Sequence, residues 1–151
     1  MTYIFQFILS FFASFSFGIL FNAPRRVLLH CGLAGAVGWV IYFTLSQFEV
    51  DSVLATFFGA VGLTVVSIYN ARILRVPILT FITCGIIPLV PGGRAYESMR
   101  HIVLSDYMRA FEFGFEAALI AMAIAFGIIF AEMSHSVLQT AKNKILKRKR
   151  L

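Results

Sequence analysis

Residues 86–99 read IIPLVPGGRAYESM and place two prolines and a Gly-Gly pair at the end of an apolar stretch. In a chain this apolar, the stretch is predicted to cross lipid. Backbone that leaves the helical conformation is costly there unless it is buried in protein or faces a wet cavity. Interrupted membrane helices of this kind often carry binding sites. The interruption is therefore the first candidate for a functional site.

The composition is that of an integral membrane protein. The 151 residues are 60% hydrophobic and 13% charged, with a mean hydropathy of +0.87. We expect one membrane domain over residues 1–151. The formal charge of +6 does not indicate nucleic acid as a partner, because six of the 13 basic residues lie between Lys142 and Arg150. Cys31 and Cys84 lie inside apolar runs, so neither a disulfide framework nor a metal motif is predicted.

Apolar runs of about 20 residues predict transmembrane helices. The predicted spans are residues 3–21, 27–45, 53–69, 76–92 with a continuation over 94–105, and 110–132, followed by a basic tail over 133–151. The first span has no Lys or Arg before its apolar run and no small-x-small cleavage site after it, so we expect a retained helix and not a signal peptide. The predicted fold class is all-α: a polytopic membrane protein with five transmembrane helices, the fourth interrupted by a Pro/Gly break.

Five crossings put the termini on opposite sides of the membrane, and the excess of Lys and Arg on cytoplasmic segments selects the orientation. With the C-terminus in the cytoplasm, ten of the 13 basic residues lie inside and three lie outside. We therefore predict a multi-pass protein of the cell membrane with its N-terminus outside. Aromatic side chains are then expected near the two lipid interfaces: Tyr3, Trp39 and Tyr42 outside, and Tyr69 inside.

Small residues at helical spacing predict close helix packing. Such faces occur in the second span and in the last span: Ala34 and Gly38, and Ala117, Ala121 and Ala125. Five short helices enclose little interior, so we expect a second chain or an oligomer, in addition to lipid, as a partner.

The break itself predicts two alternatives for the residues after it. Pro88 and Pro91 each remove a backbone donor and obstruct helix continuation, while Gly92 and Gly93 permit positive φ and close approach of another group. An amphipathic pattern over residues 94–105 follows. This segment either lies in the outer interface or forms the second half of a discontinuous membrane helix.

The discontinuous geometry has chemical consequences. A half-helix that begins near Gly93 presents free N–H groups and a positive dipole end to an anion. Arg94 adds a guanidinium fork for a carboxylate, and Tyr96 adds a hydroxyl. The alternative is a kinked helix end followed by an ordinary exterior loop, since prolines near helix ends are frequent.

The pattern formed by Pro88, Pro91, Gly92 and Tyr96, after an apolar helix led by Pro77, resembles the threonine/serine exporter family. The resemblance is to its small five-helix subunit, which corresponds to the C-terminal half of full-length exporters. It implies export of small polar metabolites, either threonine/serine-type amino acids or dicarboxylates such as succinate. It also implies a larger membrane partner subunit.

One position departs from the family pattern. Family members often carry a single glycine and then an aliphatic residue, where this chain has Gly93 and Arg94. The departure predicts an altered preference for substrate charge. The predicted substrate-binding residues are Pro88, Pro91, Gly92, Gly93, Arg94 and Tyr96.

Glu112 and Glu116 lie four apart on one face of the last span, near its outer end. An ionisable residue inside a membrane usually has a functional role. Three roles fit: carrying a proton for coupling, balancing the charge of Arg94 or Arg100, or simple solvation at the interface. We predict that this pair couples transport to protons or balances charge.

No Ser-His-Asp order, phosphate loop or ligand-spaced His/Cys cluster occurs in the sequence. We therefore predict no catalytic residue, no metal and no cofactor, and we do not expect an enzyme. The alternative function is a non-transporting membrane scaffold or accessory subunit, in which the break would pack against protein without a polar cavity.

Overall fold

The computed structural model describes residues 1–148, with side chains through Gln139. Within these residues the fold is all-α, as predicted, and contains no strand. The helices are α1 (Thr2–Leu20), α2 (Leu28–Gln47), α3 (Ser52–Leu74), α4 (Ile78–Gly85), α5 (Gly92–Val103) and α6 (Tyr107–Arg148). Single 3-10 turns precede α2 and follow α4, at Arg25–Val27 and Ile87–Leu89.

Four helices are long and apolar enough to cross a membrane: α1, α2 with its preceding turn, α3 and α6. The candidate for a fifth crossing is the bent pair formed by Ile78–Leu89 and Gly92–Val103, whose axes differ by 54°. The count is therefore four, or five if the bent pair is one span. An interrupted fourth element between unbroken spans is what the sequence predicts.

The last helix extends further than predicted. Its span was expected to end near residue 132, but α6 continues to Arg148. No Gly or Pro follows Gly127, and Ala, Gln, Leu and Lys favour helix, so nothing ends the helix locally. A helix of 42 residues is about 63 Å long, against about 30 Å of hydrocarbon. The predicted tail thus begins as helix, and residues 149–151 lie outside the described part.

α2 is the centre of the bundle and packs against α1, α3 and α4, while α6 packs against α3 and α5 packs against α6. Glycines permit the close crossings. A Cβ on Gly35 would lie 1.9 Å from Ser14 Oγ of α1, and one on Gly38 would lie 3.1 Å from the carbonyl oxygen of Gly59 of α3. Close approach of backbones through small residues is the usual basis of helix association in lipid.

Only one of the two predicted small-residue faces is used inside the chain. Ala34 and Gly38 are buried between α2 and its neighbours, as expected. Ala121 and Ala125 are exposed, so this face of α6 has no partner among the described residues. Instead α6 buries a different set: Ala110, Ile120, Ala123, Ile124, Gly127 and Ala131.

The two cysteines, for which no disulfide is predicted, belong to one buried cluster. Cys31 of α2 and Cys84 of α4 pack together with Val27 and Phe81, and both are free thiols. Buried thiols in such a cluster act as small hydrophobic side chains. They therefore join α2 to the first half of the broken element.

The α3–α6 crossing gives a stability prediction. A Cβ on Gly127 would lie 2.7 Å from the carbonyl oxygen of Phe57 and 2.8 Å from Ala60 Cβ, and neither atom can move without moving α3. We expect Gly127→Ala to lower the free energy of unfolding by about 1–3 kcal/mol through overpacking. Thermal unfolding in detergent measures the loss.

Gly92→Ala is the matched control, because a Cβ there meets nothing within 4 Å. It should be neutral or slightly stabilising, since Ala favours helix over Gly by about 1 kcal/mol. Equal unfolding temperatures for the two variants would contradict the close α3–α6 crossing.

Candidate functional site

The break between α4 and α5 is made by two residues. Val90 is extended, with ψ 132°, and Pro91 has φ −76° and ψ 51°. The N–H of Gly92 donates to the carbonyl oxygen of Val90 at 2.7 Å. These values describe an inverse γ-turn centred on Pro91. Because Pro91 has no N–H, the helix cannot continue through it, and α5 starts in a new direction.

The sequence indicates that Gly92 and Gly93 permit a positive φ, but the structure does not use this freedom. No glycine of the described residues has a positive φ, and that conformation occurs instead at helix ends: Asn22, Glu49, Arg75 and Ser105. The physical reason is that Pro91 makes the turn without left-handed backbone. A Cβ on either Gly92 or Gly93 would meet nothing within 4 Å, so open space surrounds both.

A cavity of about 410 Å³, which we call the break cavity, lies beside this turn. Its walls come from the break, the start of α5, α2, the start of α3 and α6. Five predicted site residues line it: Pro88, Pro91, Gly93, Arg94 and Tyr96. Gly92 is not among the lining residues. The remaining wall is formed by Trp39, Tyr42, Ser52, Thr56, Leu89, Val90, Glu97 and Ile120.

Arg94 is the cation of the break cavity. Its Nε lies 3.2 Å from Oε1 of Glu116, and its guanidinium carbon lies 5.7 Å from the centre of the Phe113 ring. The side chains of Arg94 and Glu116 are 48% and 32% exposed, so the pair is only partly desolvated and contributes modestly to stability. Arg94 is thus held in position by α6 while it remains open to the cavity.

The two predicted carboxylates have different contacts in the structure. Glu116 pairs with Arg94, which is one of the arrangements expected for it. Glu112 is exposed and forms no ion pair with any described side chain, and Arg100 pairs with Glu97 at 3.2 Å instead. Only Glu116 therefore reaches the candidate site. A role in coupling stays a prediction for both.

The polar face of α5 lies against α6. Ser98 Oγ donates to the carbonyl oxygen of Ala110 at 2.7 Å, and the His101 ring stacks on Phe113 at 5.5 Å. Only 13% of the His101 side chain is exposed, and its two nitrogens lie 3.9 Å from Glu97 and 3.5 Å from Asp106. These contacts fix the position of α5, and through it the position of Arg94.

Met99 and Val103 of α5 face away from α6, beside the exposed Arg100. The five residues of its predicted amphipathic pattern are all exposed: Ala95, Tyr96, Met99, Ile102 and Val103. A helix that turns polar groups toward its neighbour and apolar groups outward suits an apolar surrounding. In water the opposite arrangement would be favoured.

The start of α5 is open to an anion. Pro91 occupies the N-cap position, and no side chain caps the helix. The first N–H groups of a helix have no partner within it and carry the positive end of its dipole. Gly93 and Arg94 place this helix end at the wall of the break cavity.

Sequence reasoning missed the contribution of α2 and α3 to the wall. Trp39 and Tyr42 were expected only as interface anchors, but both line the cavity, with ring centres 5.1 Å apart. Trp39 Nε1 donates to Gln6 Oε1 at 2.8 Å, which fixes the indole against α1. Their spacing of three residues indicates a shared helix face, but only the packing of α2 beside the break shows what that face contacts.

Comparison with known proteins relates the chain to a family and to a longer relative. A family model described as "Threonine/Serine exporter, ThrE" matches residues 6–134, a range that contains the break and every wall of its cavity. An uncharacterized protein of Haemophilus influenzae is 31% identical over 110 residues, which are 72% of this chain and 35% of that protein. The match thus spans about a third of the length of that relative. No solved structure matches the chain.

The packing of α5 on α6 gives a cross-linking prediction. A Cβ built on Gly114 would lie 3.9 Å from Ser98 Cβ, within the usual range for a disulfide. In a protein whose Cys31 and Cys84 are replaced by Ala, we expect Ser98→Cys with Gly114→Cys to form a disulfide on mild oxidation. Mass spectrometry after proteolysis detects the linked peptides.

Met99→Cys with Gly114→Cys is the control, because the Met99 side chain is 67% exposed on the outward face of α5. It should link at least tenfold more slowly. Equal rates for both pairs would show that α5 does not hold this face against α6.

Proposed function

Since the chain belongs to the threonine/serine exporter family, we propose that it is one subunit of a secondary transporter that exports small polar metabolites. The substrates are amino acids of the threonine/serine type or dicarboxylates such as succinate. The observation that carries this proposal is the position of Arg94 in the wall of the break cavity, beside an uncapped helix start. We assign no enzymatic activity to the chain.

The break cavity is the proposed substrate site. A substrate carboxylate would accept hydrogen bonds from the Arg94 guanidinium and from the N–H groups of Gly93 and Arg94, since the N–H of Gly92 already donates to Val90. The Tyr96 hydroxyl supplies a further polar contact. Pro88, Pro91, Gly92 and Gly93 shape the break, and the open space beside the two glycines lets a ligand approach the backbone.

Glu116 is the proposed charge-balancing residue. It neutralises Arg94 at 3.2 Å. A substrate carboxylate that binds Arg94 would compete with Glu116, and a proton on Glu116 would compensate for the lost partner. Glu112, one helical turn before it, is the second carboxylate in this proposed coupling.

A larger membrane partner subunit completes the proposed transporter. In the apolar stretch that could cross the membrane, only 17% of the residues of α1 and 22% of those of α6 are buried within the chain. Both helices therefore leave long faces for a neighbour or for lipid. The Haemophilus influenzae relative is much longer than its matched segment, which is 35% of its length. A second set of helices in one longer chain, or in a partner subunit, is consistent with that difference.

The proposed orientation places the N-terminus outside, the break toward the outer side of the membrane, and the C-terminal end of α6 in the cytoplasm. The outward face of α5 carries Met99 and Val103, which suit lipid, beside the exposed Arg100, so it fits both the interfacial and the discontinuous geometry. The basic residues after Gln139 then lie on the cytoplasmic side, as their number predicts.

Transport by reconstituted vesicles tests the substrate site. Vesicles that contain this chain with its partner should release threonine or succinate faster than vesicles with the partner alone. Arg94→Gln should lower the rate at limiting substrate about tenfold or more, since a hydrogen bond to a charged group is worth about 1.5–3 kcal/mol.

Arg109→Gln is the matched control, because Arg109 pairs with Asp106 at 3.6 Å and neither residue lines the break cavity. Its rate should stay within twofold of wild type. An equal loss in both variants would overturn the site, and wild-type vesicles no faster than partner-only vesicles would favour the scaffold function.

Labelling of single cysteines tests the orientation. In the protein without its native cysteines, Thr2→Cys should react with a membrane-impermeant maleimide in intact cells. Gln139→Cys should react only after the membrane is permeabilised, because it lies at the other end of the fold. Reaction of both positions in intact cells, or of Gln139→Cys alone, would contradict the proposed orientation.

A further inference from the structure

A second cavity, of about 330 Å³, lies at the opposite end of the α3–α6 pair. We call it the Arg72 cavity. Its lining residues are Ile68, Ala71, Arg72, Ile78, Glu132 and His135. On α3, Arg72 lies 16 residues after Thr56 of the break cavity, a separation of about 24 Å along the helix. The two cavities therefore lie near opposite sides of a bilayer about 30 Å thick.

A packed apolar layer separates the two cavities. Ala60 and Leu63 of α3 pack with Ile120 and Ile124 of α6 in one buried cluster. Gly127 lies close below them against the backbone of Phe57. The Arg72 cavity is thus a separate site and not an extension of the break cavity.

The Arg72 cavity contains opposite charges that do not meet. Arg72 of α3 and Glu132 of α6 both line it, yet neither forms an ion pair with any side chain that the structure describes. In the break cavity, by contrast, Arg94 and Glu116 are in contact. The volume of the Arg72 cavity falls within the range of about 300–1,000 Å³ that is usual for small-molecule sites.

Two further groups add to this polarity. Ile78 is the first residue of α4, whose N-cap is Pro77 and which has no capping side chain, so the positive end of α4 lies on the wall. His135 lies one turn after Glu132 on α6, and one of its nitrogens is 3.4 Å from Gln139 Nε2. The positive groups thus come from α3 and α4, and the carboxylate comes from α6.

We propose that the Arg72 cavity is a second substrate site, which binds a small zwitterion such as an α-amino acid. The carboxylate of the ligand pairs with Arg72 and the start of α4, and its ammonium group pairs with Glu132. A dicarboxylate would place its second negative charge against Glu132, which is unfavourable. This inference rests on the proposed transport function and selects amino acids from its two substrate classes.

In the proposed orientation the Arg72 cavity opens toward the cytoplasm. It is then the loading site of the exporter, and the break cavity is the site of release. The apolar layer between them closes the direct path, so passage of a substrate requires the α3–α6 contact to open.

Substrate protection of a cysteine tests the second site. The purified complex of this chain with its partner carries Ala71→Cys and lacks the native cysteines. The rate at which a maleimide labels this cysteine is measured at increasing concentrations of threonine or succinate. Threonine should slow labelling, and succinate should have at least a tenfold weaker effect. The same preparation, reconstituted in vesicles, is assayed for efflux of both solutes.

Charge-removing variants then locate the contacts. Arg72→Gln and Glu132→Gln should each raise the threonine concentration needed for half-protection about tenfold, the value expected for one charged hydrogen bond. Arg75→Gln is the control, since Arg75 lies three residues further along and does not line the cavity. Its half-protection should match that of the unchanged chain.

The outcomes separate this inference from the proposed function. If the vesicles release solute but threonine does not slow the labelling of the cysteine, the second site is overturned and the proposed transport function stands. Protection by succinate in preference to threonine would overturn the charge assignment. Protection by threonine without efflux of either solute would support the site and contradict export.

Discussion

The structure depends on one constraint, which is that lipid cannot satisfy the hydrogen bonds of the backbone. Every long apolar segment of the chain is therefore helical, and the exception at Val90 and Pro91 needs an explanation. The turn keeps part of its hydrogen bonding by a contact from Gly92 to Val90 at 2.7 Å. We propose that the break cavity supplies the rest of the explanation, because water or a ligand in it would reach backbone that lipid could not solvate.

The contacts of α5 follow from this break. Once the chain turns by 54°, α5 lies along α6 and turns its polar face inward. Ser98 and His101 then hold the helix against α6, and Glu116 holds Arg94 beside the cavity. α5 would be poorly suited to the surface of a soluble protein. In this fold it places the Arg94 cation and an uncapped helix start at the wall of the break cavity.

The sequence predicts the features of this fold that are encoded locally. Apolar runs predict the spans, and Pro91 predicts the interruption, because both act over a few residues. The walls contributed by Trp39 and Thr56 could not be predicted, since they come together only when α2 and α3 pack beside the break. The positive φ that Gly93 permits is not used, because glycine allows that conformation without requiring it and Pro91 makes the turn.

The central claim is that the break faces a wet cavity that binds substrate. The most direct test is the reactivity of Gly93→Cys toward a water-soluble maleimide, in the complex with its partner and without the native cysteines. Gly93 lines the cavity and has free space around it, so the thiol should react readily and should be protected by threonine or succinate. A thiol that does not react, or that reacts equally with and without both solutes, would contradict the claim.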